Sequence, residues 1–196
     1  MTADQPTLTL IRHGDTEWSL TGRHTGWTDI PLVDSGRRQA ELLGARLAGG
    51  SFSLVLSSPL SRAFETCGLA GLGDAVVVDP DLREWNYGNL EGLTSDEIRG
   101  AMPGWTIWSG PVPGGETSDE VGQRADRVIT SALSAAGDVA IFAHGHLLRV
   151  LAARWLGLPP DHGALFELGT ATVSQLGWER ERRVIELWNE PPAPTG

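Results

Sequence analysis

The sequence contains no lysine, and all 15 of its basic residues are arginine. Without lysine, neither Schiff-base catalysis nor phosphate binding by a Walker-type loop is available. Cys67 is the only cysteine, which excludes an internal disulfide, a zinc ribbon and a CxxC redox site. No apolar run approaches the roughly 18 residues of a membrane span, and the N-terminus lacks the features of a signal peptide. We therefore expect a cytoplasmic protein with no membrane partner.

Acidic residues outnumber basic ones, and the formal net charge is −10 at pH 7. This balance argues against nucleic acid or an anionic membrane as the main partner. An anion that binds this chain has to meet a local group of arginines within a negative surface. At 196 residues the chain is long enough for one domain with a full core, and no repeat divides it. We predict a single domain over 1–196 that ends in a loose tail at 190–196.

Apolar runs alternate with amphipathic segments along the chain. The pattern predicts strands at 7–11, 53–56, 75–78 and 138–143, with a final pair at 170–178 and 184–188. It predicts helices at 34–47, from Pro59 to about 69, and at 146–155, and capping boxes at Thr94-x-x-Glu97 and Thr117-x-x-Glu120 each begin another helix. Segment 103–115, rich in glycine, proline and tryptophan, is predicted to be a surface loop. This alternation predicts an α/β fold with three layers, α/β/α, around a mostly parallel sheet.

Unusual side chains follow three of the predicted strands. They are found in Arg12-His13-Gly14, in the segment from Ser58 to Arg62, and in His144-Gly145-His146. Ligands of such folds bind at the carboxyl ends of the strands, so neighbouring strands would bring two arginines and two histidines together there. Arginine forks match phosphate oxygens, and helix N-termini add N–H donors and a positive dipole. We therefore predict a phosphate site.

Histidine adds chemistry that binding alone does not require. A neutral imidazole is a nucleophile toward phosphorus, and we assign this role to His13. Positive charge on neighbouring arginines lowers the pKa of a histidine and keeps it neutral. The leaving alkoxide needs a proton, for which Glu84 is the candidate donor.

Each of these assignments has a simpler alternative. Glu84 can form a surface ion pair, and Glu91 can compete with it for the role of acid. Arg62 can brace a helix face, and His144 can be a core histidine whose hydrogen bonds are satisfied. His146, one residue further along the predicted helix, is interpreted as structural.

Four sequence blocks, in order along the chain, resemble the histidine phosphatase superfamily, the clan of the cofactor-dependent phosphoglycerate mutases. The blocks are RHG at 12–14, SSPLSRAFET at 57–66, LREWNYGNLEG at 82–92 and AHGHLLR at 143–149. The resemblance implies that His13 is phosphorylated and that Glu84 donates the proton. It further implies that the transferring phosphoryl group is bound by Arg12, Arg62 and His144, with support from Thr25 and the backbone of Gly145.

Within this superfamily the sequence resembles phosphatases more than mutases. Ser19 stands where mutases usually carry asparagine, and Trp85-Asn86-Tyr87 replaces their Arg-His-Tyr. The mutases also have a longer insertion than the short cap expected here at about 85–116, and a short cap admits water to the phosphohistidine. The closest resemblance is to sedoheptulose-bisphosphatase-like and actinobacterial acid phosphatases. It implies sugar or polyol phosphate substrates, in a pocket lined by Ser19, His24, Thr25, Trp85 and Tyr87.

Three functions stay open at this point. The first is a phosphomonoesterase that needs neither a metal nor another cofactor and acts on a small phosphate ester. The second is a phosphoglycerate mutase that depends on 2,3-bisphosphoglycerate. The third is a regulator that binds phosphate without turnover. An apolar edge strand also makes a homodimer possible.

Overall fold

The computed structural model describes residues 5–192, so most of the tail predicted at 190–196 lies outside the described residues. Six strands form one sheet: β1 (Leu8–Arg12), β2 (Leu54–Ser57), β3 (Val76–Val78), β4 (Val139–Ala143), β5 (Val173–Glu179) and β6 (Arg182–Glu190). Their order is β3-β2-β4-β1-β5-β6. The first four strands in this order are parallel, and β5 and β6 add an antiparallel pair at one edge.

The helices connect the strands and cover the sheet. They are α1 (Glu17–Leu20), α2 (Asp34–Leu47), α3 (Ser61–Leu69), α4 (Ser95–Ala101), α5 (Ser118–Leu133) and α6 (Gly145–Trp155), and short 3₁₀ turns lie at 73–75, 80–82, 88–90 and 160–165. Both predicted capping boxes are confirmed, since the Thr94 and Thr117 side chains accept from the backbone of Glu97 and Glu120.

Alternate residues of the central strand β4 face opposite sides of the sheet. Val139 and Ile141 pack in one hydrophobic cluster with α5 and α6, whereas Ala140 and Phe142 pack in a second cluster with α2 and α3. The strand is therefore buried on both faces, as the apolar run at 138–143 predicts. The predicted three-layer α/β/α fold with a mostly parallel sheet is confirmed.

Three predicted elements have wrong boundaries, and one of them is β6, which spans Arg182–Glu190 and not 184–188. Helix α3 begins at Ser61 and not at Pro59. The Ser58 hydroxyl accepts from the Leu60 N–H and turns the chain first, and the Asp29 carboxylate then accepts from the Ser61 N–H. Strand β5 begins at Val173 and not at 170, because a turn precedes it in which Ala171 has a φ of 52°.

Segment 103–115 has no helix or strand, as predicted, but it is not simply a surface loop. Trp105 and Ile107 are buried. The Trp105 indole N–H donates to the Pro111 carbonyl at 3.0 Å, and the Arg99 side chain donates to the Trp105 carbonyl at 3.0 Å. The segment is thus anchored to α4.

Candidate active site

The sheet brings the predicted strand-end residues together. Strand β1 pairs with β4 so that Arg12 lies opposite Ala143, and the next residues, His13 and His144, become neighbours. Their ring centroids are 5.2 Å apart. Strand β2 pairs with the other side of β4 and delivers Ser58 to the same edge. The parallel pairing of β4 with β1 on one side and β2 on the other therefore builds the site.

The His13 ring is held in one tautomer. Its Nδ1 lies 2.7 Å from the Gly14 carbonyl oxygen, and because a carbonyl only accepts, Nδ1 carries the proton. Nε2 is left with a free lone pair. Burial, followed by the charges of Arg62 and Arg12, holds the pKa of His13 well below its usual value of 6.5. The residue is therefore a neutral imidazole at neutral pH, as a nucleophile requires.

Arg12 lies beside His13 and has donor groups to spare. One terminal nitrogen donates to the Leu168 carbonyl. Its Nε is buried and has no hydrogen-bond partner among residues 5–192. A Cβ at Gly145 would lie 3.2 Å from the Arg12 Cζ, so glycine at this position allows the guanidinium to lie against the start of α6. A buried unpartnered donor is costly, and a bound anion would satisfy it.

Arg62 and His144 lie behind His13, fully buried. The Arg62 Nε donates to the His144 Nδ1 at 3.2 Å, so His144 Nε2 carries the proton that faces the Ser58 hydroxyl at 2.8 Å. Carbonyl groups accept the other hydrogen bonds of Arg62; they belong to Thr25, Gly26 and Thr28. Arg62 thus does not brace its own helix face, and neither residue lines the cavity described below. Direct contact of either with a phosphoryl group stays a prediction.

Glu84 is held by three backbone N–H groups. Trp85 and Leu147 donate to its Oε1 at 2.8 Å each, and His146 donates to its Oε2 at 3.0 Å. Two of these donors belong to the first turn of α6. Oε2 accepts only one of the bonds and keeps a lone pair for a proton. Glu84 is therefore buried and positioned, and the interpretation as a surface ion pair is wrong. Glu91, its competitor, instead accepts from the backbone at 26–28 and does not line the cavity.

A cavity of about 460 Å³ opens over His13. Of the predicted site residues it is lined by Arg12, His13, Ser19, His24, Thr25, Glu84, Tyr87 and Gly145. It is also lined by residues that the sequence does not predict as site residues, among them Arg23, Arg99, Trp105, His146 and Arg149. The site is thus larger than the four sequence blocks indicate.

Two expectations about the pocket wall are wrong. Trp85 does not line the cavity; it is 1% exposed, and its indole N–H donates to the Glu116 carbonyl at 2.8 Å, which places the ring in the core. His146, interpreted as structural, does line it. Its Nδ1 lies 2.5 Å from the Tyr87 hydroxyl.

Two negative findings apply to residues 5–192. No helix there is both long and apolar enough to cross a membrane. No three histidine, cysteine or acidic side chains in this range lie close enough together to hold a metal ion.

Comparison with known proteins gives the family. The profile of the histidine phosphatase superfamily, branch 1, matches residues 8–191. The chain belongs to this superfamily. The match confirms the resemblance and the enzyme class, a phosphoric monoester hydrolase of the histidine phosphatase type.

The proteins to which this chain is similar include both phosphatases and mutases. An acid phosphatase of Mycobacterium tuberculosis is 40% identical over 191 residues, 94% of each chain. A sedoheptulose 1,7-bisphosphatase of Saccharomyces cerevisiae is 37% identical over 186 residues, 78% of this chain and 68% of the relative. A 2,3-bisphosphoglycerate-dependent phosphoglycerate mutase of Brucella melitensis is 35% identical over 184 residues, 84% of this chain and 88% of the relative. The solved structure of an open reading frame from Mycobacterium tuberculosis superposes with a TM-score of 0.91 at 39% identity, covering 96% of this chain and 99% of that one.

Proposed function

We propose that this chain hydrolyses small phosphate monoesters through a phosphohistidine formed on His13. One observation carries the proposal: the Nε2 lone pair of a neutral His13 lies in a cavity beside Arg12, whose buried Nε has no partner among the described residues. A nucleophile next to an unsatisfied cation is suited to an electrophilic anion such as a phosphoryl group.

Binding places the phosphoryl oxygens against Arg12 and the N–H of Gly145 at the start of α6, because Glu84 already accepts from the N–H groups of His146 and Leu147. The positive end of this 11-residue helix adds to the attraction. The charges of Arg62 and Arg12 reach the site, since both act on His13. Behind the phosphoryl group, Arg62 and His144 stabilise the negative charge that develops during transfer.

The reaction then runs in two displacements. His13 Nε2 attacks phosphorus, the ester P–O bond breaks, and protonated Glu84 gives its proton to the leaving oxygen. A water molecule next attacks the phosphohistidine, Glu84 takes the proton of that water, and the N–P bond breaks. Inorganic phosphate leaves, and His13 and Glu84 return to their starting forms.

Sugar or polyol phosphates are the substrates that we favour. The wall beyond His13 combines hydroxyl, imidazole and phenol groups, supplied by Ser19, Thr25, His24 and Tyr87. These groups exchange hydrogen bonds with hydroxyl groups of a substrate. The sedoheptulose 1,7-bisphosphatase among the relatives, whose name gives a sugar phosphate as its substrate, supports this substrate class.

A mutase is the second candidate, since a mutase is also among the relatives. A mutase has to protect its phosphohistidine from water, whereas a phosphatase has to admit water. A phosphatase therefore releases phosphate without 2,3-bisphosphoglycerate, whereas a mutase interconverts the phosphoglycerates only when that compound is present.

Phosphate release from a panel of sugar, polyol and glycerate phosphates tests the proposal, with native protein beside His13→Ala. We expect the variant to lose about a thousandfold or more of the rate, as is usual when a nucleophile is removed. Rapid quenching with a ³²P-labelled substrate should place the label on His13. Label on another residue would refute the proposal. Inactivity of the native protein across the whole panel would favour the regulator that binds phosphate without turnover.

A further inference from the structure

The cavity wall carries more positive charge than a single phosphoryl group requires. Four arginines line it: Arg12, Arg23, Arg99 and Arg149. Glu84 is the one carboxylate in that lining. The chain as a whole has a net charge of −10, so this local excess of arginine is not a general property of its surface.

Arg23 and Arg99 lie on chain segments other than the one that carries His13. The charges that lower the pKa of His13 are those of Arg62 and Arg12, whereas Arg99 acts on His24. Arg23 directly precedes His24 and forms a backbone bridge to Thr94, the residue that caps α4. Arg99 lies on α4 itself. The two arginines are thus carried by adjacent segments and line the same cavity as His13.

Backbone carbonyls hold both side chains and leave donors unused. The Arg99 Nε donates to the Trp105 carbonyl at 3.0 Å, and the Arg23 Nη1 donates to the Gly92 carbonyl at 2.6 Å. The remaining nitrogens of these two side chains make no hydrogen bond within residues 5–192. Each arginine has one acidic neighbour. The Arg23 Nη1 also donates a long hydrogen bond of 3.5 Å to the Glu97 carboxylate, and the Arg99 Nη1 lies 3.8 Å from the Asp96 carboxylate, whose side chain is 96% exposed. Ion pairs between exposed side chains are weak and leave the other nitrogens of both guanidinium groups available.

Arg149 is a weaker candidate for ligand binding. Its guanidinium covers the Trp108 ring at 4.6 Å, and its Nε donates to the Gly163 carbonyl at 3.1 Å. These contacts give it a packing role. Arg23 and Arg99 therefore provide the hydrogen-bond donors that remain available for a ligand beyond Arg12.

We infer that the substrate carries a second anionic group, a carboxylate or a phosphate, at the end opposite the scissile phosphate, and that Arg23 and Arg99 bind it. This inference rests on the proposed function and narrows its substrate class. A guanidinium that pairs with an anion makes strong, charge-assisted hydrogen bonds, whereas it gains little from a neutral hydroxyl. The same two residues would thus distinguish doubly anionic esters from singly anionic ones.

Matched substrates test the inference. 3-Phosphoglycerate and glycerol 3-phosphate differ by a carboxylate in place of a hydroxymethyl group, and fructose 1,6-bisphosphate and fructose 6-phosphate differ by one phosphate. We expect native protein to have a kcat/KM at least about 10-fold higher for the doubly anionic member of at least one pair. Arg23→Gln and Arg99→Gln should each remove most of this preference, because KM should rise more for the doubly anionic member of a pair than for the singly anionic one.

Two controls separate a binding role from a structural one. Arg38→Gln removes the same charge from an exposed position on α2 and should leave the preference unchanged. Arg99→Lys keeps the charge and should retain part of the preference for the doubly anionic substrate. Equal losses on both members of a pair, or no preference in the native protein, would overturn the inference. Neither result would contradict the proposed phosphohistidine, which the His13→Ala variant and the ³²P label test separately.

Discussion

At the scale of single residues, the reactivity of His13 depends on its immediate neighbours. The Gly14 carbonyl fixes the tautomer, and burial together with two arginines keeps the ring uncharged. A protonated ring has no lone pair on Nε2 and cannot attack phosphorus. The same arginines that are proposed to bind the substrate thus keep the proposed nucleophile neutral in mildly acidic solution.

The lowered pKa of His13 gives a prediction about the free enzyme. Because its charged form is disfavoured, the His13 ring should stay neutral as the pH falls through 6.5 and should titrate only at lower pH. Nitrogen-15 NMR of the imidazoles, with His13→Gln used for assignment, measures this directly. Arg12→Gln removes one of the charges and should move the titration upward. A His13 that titrates at or above 6.5 would contradict the electrostatic account.

At the scale of elements, a buried ion pair holds the segment that carries Glu84. Arg124 on α5 pairs with Glu116 through two contacts of 2.8 Å, and its Nη1 donates to the Asp81 and Arg83 carbonyls. Glu116 in turn accepts from the Asn86 N–H at 2.9 Å. Helix α5 therefore positions the loop on both sides of the proposed acid.

We predict that Arg124→Met weakens both folding and acid catalysis. Removing one partner from a buried pair costs about 3–5 kcal/mol, measurable by urea denaturation. The rate should fall more for alkyl phosphates than for p-nitrophenyl phosphate, because only a poor leaving group needs the proton. Arg127→Met is the control, since Arg127 is 58% exposed in its pair with Asp81, and it should cost about 1 kcal/mol or less. Equal rate losses for alkyl phosphates and p-nitrophenyl phosphate would show that the change does not impair acid catalysis.

Close backbone contact fixes the loop after β1 against the start of α2. A Cβ on Gly36 would lie 2.2 Å from the Asp15 carbonyl oxygen, and a Cβ on Gly14 would lie 2.3 Å from the Gly36 carbonyl oxygen. Neither backbone can yield without moving the loop that begins with His13. These two glycines are needed for close approach and have no positive φ.

We predict that Gly36→Ala destabilises the fold by about 1–3 kcal/mol through overpacking. It should also lower kcat/KM by about 10- to 100-fold by displacing His13. Gly68→Ala is the matched control on α3, because nothing lies within 4 Å of its Cβ position. That change should keep activity and add at most about 1 kcal/mol of helix stability. Native activity in Gly36→Ala would show that the loop tolerates the shift.

At the scale of the whole molecule, stability should depend on pH through the buried histidines. Burial is the main reason why the pKa values of His13, His144 and His146 lie well below 6.5. The unfolded chain therefore binds protons below pH 6.5 that the folded chain does not. The free energy of unfolding should be constant with pH above about 7 and fall below it, by at most about 1.4 kcal/mol per pH unit for each histidine.

Urea denaturation between pH 5 and 8 tests this dependence. His146→Gln should flatten the slope, whereas His162→Gln, at a side chain 42% exposed, should not. The acidic groups Asp81, Glu97 and Glu120 do not interfere, because hydrogen bonds lower their pKa values below their usual 3.8 to 4.5. Their stabilising contribution is lost only at more acidic pH. An unchanged slope in His146→Gln would show that His146 does not contribute to the pH dependence of the free energy of unfolding.

The sequence alone was sufficient to predict which side chains lie at the ends of the strands. Apolar runs that end in Arg12-His13 and His144-Gly145 predicted both the parallel strands and the side chains at their carboxyl edge, because strand periodicity and burial are local properties. The pocket wall was less predictable. Trp85 was assigned to it and lies in the core, whereas His146 was interpreted as structural and faces the cavity.

By itself the sequence determined the α/β class, the candidate nucleophile and acid, and the membership of the family, since these depend on short motifs and on their order along the chain. Only the tertiary structure decided which of these side chains are hydrogen-bonded inside the protein and which line the cavity. Arg62 and His144 bond to each other behind His13, and Arg23, from a loop, lines the same cavity as Arg99, from α4. Such contacts join residues distant in the chain, and their geometry follows from the packing of the whole sheet and its helices.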